Sequence, residues 1–357
     1  MHILYFLTLL AFSIYSYVLV DPNFTLFNHP SWAVFRDYMV QLGYYKRPLS
    51  AFQYLLFLTV LCYFAWHFYH HEKKYKPLMI AVIVVLGVSI SYPFLSHDLF
   101  NYMFDAKIVT TYGQNPYFKK PMDFSADPWL RFMHWTHRTY PYGPFFLVLS
   151  LIPSFFSLGK LLLSFFMFKG LMSISYLGMV WAIQKVNKKM AMLVATSPLI
   201  IIEGLVSAHN DIVGTSLAVI GIWLLITHKT WWGRAVMVLS AGIKYFTAPL
   251  LLVNKSEDIY SRMALVTCIT LLSILTFYFE IQPWYFLIFF GFVFHYPALL
   301  RNLSILFVGL LLSYYPYMLA GWTETAVMQK HIIIGVAFLI NMAYLFYQFR
   351  RKKAIFV

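Results

Sequence analysis

Apolar runs follow one another along almost the whole chain, and no soluble fold can absorb that many. They cover residues 3–20, 51–69, 78–95, 145–158, 161–184, 191–207, 212–227, 235–253, 263–279, a short run ending at Phe294, 303–319 and 332–349. A helix needs about 20 apolar residues to cross the hydrocarbon layer, and most of these runs approach that length. Charged residues make up 11% of the chain and hydrophobic ones 61%, where soluble domains carry about 25% charge. The chain therefore reads as an all-α polytopic membrane protein, a single transmembrane domain over residues 1–357. The first run lacks a basic leader and an Ala-x-Ala site, so it reads as a retained helix. The net charge of +14 would suit nucleic acid, but the lysines and arginines sit between apolar runs. There they set topology and meet anionic lipid. Cys62 and Cys268 both fall inside apolar runs, as buried thiols rather than a disulfide.

Basic clusters orient the chain. His70-His71-Glu72-Lys73-Lys74, Lys185–Lys189, His228–Arg234 and Arg350–Lys353 belong on the cytoplasmic side. If all twelve runs cross, the Lys185–Lys189 cluster falls outside. If 145–158 and 235–253 enter without crossing, ten cross, both termini are cytoplasmic and every cluster faces inward. The second arrangement is preferred, because short runs interrupted by Gly and Pro suit re-entrant segments. It places residues 96–143, an aromatic stretch rich in His and Pro, in an external loop of functional length.

That loop opens with Asp98, Asn101, Tyr102 and Asp105, spaced to share one helical face. Gly113 reads as the helix stop and Asn115-Pro116 as a turn. An isolated pair of carboxylates would be read as a solvated helix, but only 13 acidic residues occur in 357. At the edge of an apolar layer a carboxylate tends to a raised pKa, which suits a general base. Glu203 lies inside an apolar run, with Ser207, Asn210 and Asp211 on its helical face and His209 pointing away. Lys244, between Gly242 and Pro249, is either a snorkelling side chain or a cation for a phosphate. The histidines are read as offering no His-x-x-x-His or other tight metal spacing, and no nucleotide-binding glycine motif is present.

Three blocks resemble a known family. They are Asp98-Leu99-Phe100-Asn101-Tyr102-Met103-Phe104-Asp105 with Gly113-Gln114-Asn115-Pro116-Tyr117, then Tyr140-Pro141-Tyr142-Gly143-Pro144 opening a helix, and Pro198…Glu203…His209-Asn210-Asp211. With Gln282-Pro283-Trp284-Tyr285 they resemble the GT-C glycosyltransferases, and within them the polyprenol-phosphate-mannose-dependent mannosyltransferases of the bacterial family 87 and PIG-M-like types. The resemblance implies a GT-C-like bundle of about 10–12 transmembrane helices with re-entrant segments and a large external first catalytic loop. It implies a bacterial cell membrane enzyme with an acidic base, matched by Asp98, and a hexose, mannose above all, carried on a polyprenyl phosphate. The acceptor would be a glycan or glycolipid. Asp105, Asn101 and Tyr102 would orient hydroxyls, and Lys244 with His209 would hold the phosphate. Tyr117, Tyr142 and Trp284 would line the sugar site, beside Asn115, Glu203, Asn210 and Asp211. The Asp-x-Asp form of PIG-M-like members is absent, since Leu99 and Phe100 follow Asp98, and this leaves a divalent metal open. No other cofactor and no nucleic acid is expected. The alternative function class is a lipid-linked sugar flippase or transporter, using the same carboxylates with Glu203 and Lys244 for coupling.

Overall fold

The computed structural model describes residues 1–256 and 258–350. Arg351, Lys352 and Lys353, read above as closing the chain on the cytoplasmic side, lie outside them. Among the described residues there is no strand, only helices and their connections. Among these residues five helices are both long and apolar enough to cross a membrane, and a sixth is broken by a 62° bend.

The order is α1 (His2–Tyr15), α2 (Pro30–Val40), α3 (Arg47–His70), α4 (Pro77–Val88), α5 (Asp98–Thr110), α6 (Pro144–Phe156), α7 (Leu161–Gln184) and α8 (Lys188–Thr196). There follow α9 (Asp211–Ile226), α10 (Thr230–Ile243), α11 (Ile259–Tyr278), α12 (Pro297–Asn302), α13 (Ser304–Leu312), α14 (Tyr315–Ala320) and α15 (Glu324–Arg350). Tight 3-10 turns cover Tyr245–Leu252 and Pro283–Phe292, and a π-helical stretch covers Ile200–Val206.

Two apolar runs do not form the straight helices expected of them. The run 78–95 is helical only to Val88. Beyond it the backbone is irregular, and neighbours satisfy its polar groups as an apolar layer requires. Ser13 Oγ donates to Gly87 O at 2.6 Å, Tyr17 OH to Ile90 O at 2.7 Å, and Tyr92 N to Ser16 Oγ at 2.8 Å. Lys169 Nζ, buried on α7, reaches Ser91 Oγ at 2.8 Å and Leu205 O at 3.0 Å, tying this break to the second one. That second break is in the run 191–207. Pro198 supplies no N–H to the ladder, and α8 bends there into the π stretch. A helix the apolar pattern does not announce, α2, covers the bundle from the first connection. It buries Trp32, whose Nε1 donates to Phe24 O at 3.0 Å.

The run 235–253 returns to the end from which it starts, while 145–158 lies along α5. α10 leaves Arg234 and climbs to Lys244, and Tyr245–Leu252 descends again. The Arg234 guanidinium closes this hairpin, donating to Leu251 O, to Val253 O at 2.9 Å and to Asn254 Oδ1 at 2.7 Å. Lys244 is therefore carried at the tip. α6 starts where Gly143 meets Gly242, and near its end Ser154 Oγ is 2.8 Å from Thr110 Oγ1 at the end of α5. Both ends thus lie beside the 96–143 segment.

The clusters after α3, α7 and α9 gather at one end of the bundle. Lys76, Lys185 and Lys188 line one groove, and Lys189 Nζ sits 4.8 Å from the Tyr69 ring. The rings of Trp181 and Trp223 meet at 4.8 Å, which brings the ends of α7 and α9 together. We expect Lys119→Cys and Val186→Cys to react with a membrane-impermeant thiol reagent from opposite faces of sealed vesicles. Labelling of both from one face would reject the arrangement. Cys62 and Cys268 are unpaired thiols.

Candidate active site

α5 opens the site. Asp98 stands in its first turn, where the helix dipole favours a carboxylate, and Ser96 Oγ accepts a hydrogen bond from Asp98 N at 3.2 Å. Leu99 to Ile108 are all buried, so this is not a solvated interfacial helix. Gly113, at φ +62°, ends the unit as expected, and Asn115 Oδ1 accepts from Tyr117 N at 2.9 Å to make the turn. The rest of the loop is clamped onto α5. Lys107 Nζ meets Asp127 Oδ2 at 2.5 Å and lies 4.0 Å over the Trp129 ring, while Tyr112 OH donates to the same carboxylate at 2.6 Å.

Long-range contacts then assemble most of the expected residues. The π stretch and the turn after it, with Ala208 at φ +58°, place His209 behind Asp98. His209 Nδ1 is 3.5 Å from Asp98 Oδ2, and its Nε2 is 3.4 Å from Glu203 Oε2. Trp284, from the start of Pro283–Phe292, stacks on the imidazole with centroids 3.8 Å apart. Tyr102 OH donates to Asn210 Oδ1 at 3.4 Å. Lys244 Nζ donates to Asp211 Oδ2 at 2.7 Å and to Asn210 Oδ1 at 3.2 Å, and sits 5.5 Å from the Tyr142 ring. Tyr142 meets Tyr102 at 5.1 Å, and its carbonyl accepts from Tyr117 OH at 3.0 Å. Asn101 and Asp105 are buried further along α5, while Asn115 stays at the exposed turn and acts only through Tyr117.

Two expectations need correction. Glu203 does not share a helical face with Asn210 and Asp211. The chain leaves the π stretch at Ser207, and Asp211 starts a new helix. His209, expected to point away, is the residue that joins the two carboxylates. The raised pKa expected of Asp98 belongs instead to Asp105. At Asp98 burial works against the charge, but the contact and charge of His209, with the fields of Lys244 and Arg138, hold the carboxyl below its ordinary value. At Asp105 burial dominates, with Arg138 opposing it and Asp98 adding to it, and the pKa rises to about 8. Arg138 is a site residue that sequence reading misses. It lies in irregular chain with no periodic signal, its guanidinium 4.5 Å from the Trp135 ring.

Asp105→Asn should stabilise the protein increasingly as pH rises. The unfolded carboxyl ionises near 3.8, the folded one near 8. The stability lent by the protonated form is complete below the lower value and lost as pH climbs through the upper. Thermal unfolding at pH 5 and pH 9 reads this, and a stabilisation no larger at pH 9 would place water at the carboxyl.

Regarding metals, His67 and His71 do stand at the i, i+4 spacing, contrary to expectation, with stacked rings 4.5 Å apart. They are only a pair. Among the described residues no group of three or more His, Cys, Asp or Glu is placed to hold a metal ion. In the site the carboxylates face a histidine and a lysine instead of converging on one point.

A family model described as alpha-(1->6)-mannopyranosyltransferase, N-terminal domain, matches residues 32–254. That span contains α5, the loop, the π stretch and Lys244, and stops before Trp284. No curated protein and no solved structure matches the chain.

Proposed function

This chain belongs to the alpha-(1->6)-mannopyranosyltransferase family, and from that premise we propose that it moves mannose from a polyprenyl-phosphate donor to position 6 of a glycan or glycolipid acceptor, with Asp98 as general base. Mannosyl transfer by a multi-pass membrane enzyme follows from the family and the fold, and it displaces the flippase alternative. The donor, acceptor, membrane face and base are our reading.

The observation that carries it is the gathering of the Asp98 carboxylate, its His209 neighbour and the Lys244 tip, walled by Tyr142 and Trp284, beside the ends of apolar helices. A lipid-borne phosphate sugar can reach that place from the bilayer. Asp98 takes the proton of the acceptor hydroxyl as its oxygen bonds the anomeric carbon. The bond from that carbon to the phosphate oxygen breaks, and the phosphate leaves with the electron pair. A phosphate leaving group needs little protonation, so one base and nearby cations suffice. Lys244 and Arg138 receive the growing phosphate charge. Asn101, Tyr102 and Asp105, the last protonated at neutral pH, orient hydroxyls. Tyr117, Tyr142 and Trp284 line the sugar site. A single displacement of this kind inverts the anomeric centre. In this reading the loop faces outside a bacterial cell membrane and both termini lie in the cytoplasm.

Detergent-purified protein given synthetic polyprenyl-phosphate mannose and a mannoside acceptor should form a product that an α-1,6-mannosidase cleaves. A 6-deoxy acceptor should give none. Transfer from a nucleotide-mannose in place of the lipid donor would sink the reading.

A further inference from the structure

We propose that Glu203 is a positioning residue of the reaction: acting through His209, it holds the imidazole so that one oxygen of Asp98 is fixed and the other faces the acceptor. The proposal rests on Asp98 being the base.

The geometry is a row of three groups running inward. Asp98 lies at the mouth with 15% of its side chain exposed, while the side chains of His209 and Glu203 are both wholly buried. The imidazole plane is set by Trp284 on one face, and its two nitrogens address the two carboxylates. The backbone repeats the link, since His209 N donates to Glu203 O at 3.0 Å. Ala208 between them adopts a left-handed conformation that a side chain disfavours, a strain that persists only where surroundings impose it.

Packing does not call for a carboxylate at Glu203. In so apolar a place a side chain of equal volume without charge would serve stability as well or better. What the carboxylate adds is a polar partner for Nε2, which holds the ring so that Nδ1 stays aimed at Asp98. This is the arrangement by which a second carboxylate fixes the aim of a histidine. The nitrogen–oxygen separations are long for hydrogen bonds, and such contacts tighten when substrate closes a site. The aim is specific because Asp98 Oδ2 is the oxygen engaged. Other charged and titratable groups face the row. Lys244, Arg138 and His134 lie towards Asp98, and Tyr54, Tyr314 and Lys330 towards Glu203.

The test is Glu203→Gln in the purified enzyme with polyprenyl-phosphate mannose. We expect kcat to fall about ten- to a hundred-fold, the donor KM to stay within about two-fold, and the thermal midpoint to hold or rise. The acid limb of the pH–rate profile should move to higher pH, because Asp98 loses the aimed Nδ1 contact that favours its ionised form. Combined with His209→Asn, the change should cost nothing further. Glu203→Asp keeps the charge one methylene further away, so it should be faster than Glu203→Gln, with its acid limb near that of the unaltered enzyme. A folded Glu203→Gln protein with unchanged kcat and acid limb overturns the proposal. So does a Glu203→Asp protein slower than Glu203→Gln, which would assign the effect to packing. If Asp98→Asn leaves transfer intact, it is the base assignment that fails.

Discussion

Asp98→Asn is expected to lower mannosyl transfer at least about a hundred-fold, the lower end of what general base catalysis contributes. The amide keeps the shape of the carboxylate and an oxygen that can still accept from His209, but it cannot take a proton at neutral pH. Folding should barely respond. Asp98 caps no backbone N–H among the hydrogen bonds of α5, and its loss from the first turn is worth under about 1 kcal/mol. Asp105→Asn should cost much less activity, since a carboxyl with a pKa near 8 already acts as a neutral hydrogen-bonding group at pH 7. Initial rates for both variants at saturating donor decide the matter. Near-normal transfer by Asp98→Asn beside a dead Asp105→Asn would exchange their roles.

The second large effect is on folding. Lys244→Met should destabilise the protein by about 3 kcal/mol, the lower end of the cost of stranding one partner of a buried ion pair. The lower end applies because the Lys244 and Asp211 side chains keep 14% and 7% exposure. Adding Asp211→Asn removes the stranded charge and should recover most of the loss. Donor use should not recover with it, because the cation is still missing. Thermal unfolding of both variants, with transfer measured against donor concentration, separates the two roles of the lysine. Equal stability of Lys244→Met and the unaltered protein would mean that water already screens the pair.

The contrast between Lys244 and α5 shows which parts of the molecule can be read from local sequence. The four polar positions of α5 recur with helical spacing, and Gly113 marks its end, so one short window holds the information. The apolar runs are legible for the same reason. The partner of Lys244 is not, because Asp211 lies 33 residues away and meets it only when the hairpin of α10 and Tyr245–Leu252 folds back beside α9. His209 is misplaced by local reading because helical periodicity from Glu203 to Asp211 runs through Ser207, where the ladder breaks. The early end of α4 at Val88 is equally invisible. Its freed backbone groups are met by Ser13, Ser16 and Tyr17, from α1 and the turn that follows it, and no local pattern encodes that.

The apposition of Gly143 and Gly242 has a mechanical consequence. A β-carbon on Gly143 would lie 2.0 Å from the carbonyl oxygen of Gly242, so the two backbones touch with nothing between them. Tyr142 and Lys244 flank this contact on its two sides. It therefore works as a rivet joining the loop to the hairpin tip. The loop cannot swing outward at that end without dragging the lysine along. The Tyr142 ring and the Lys244 cation are thereby kept at a constant gauge from each other.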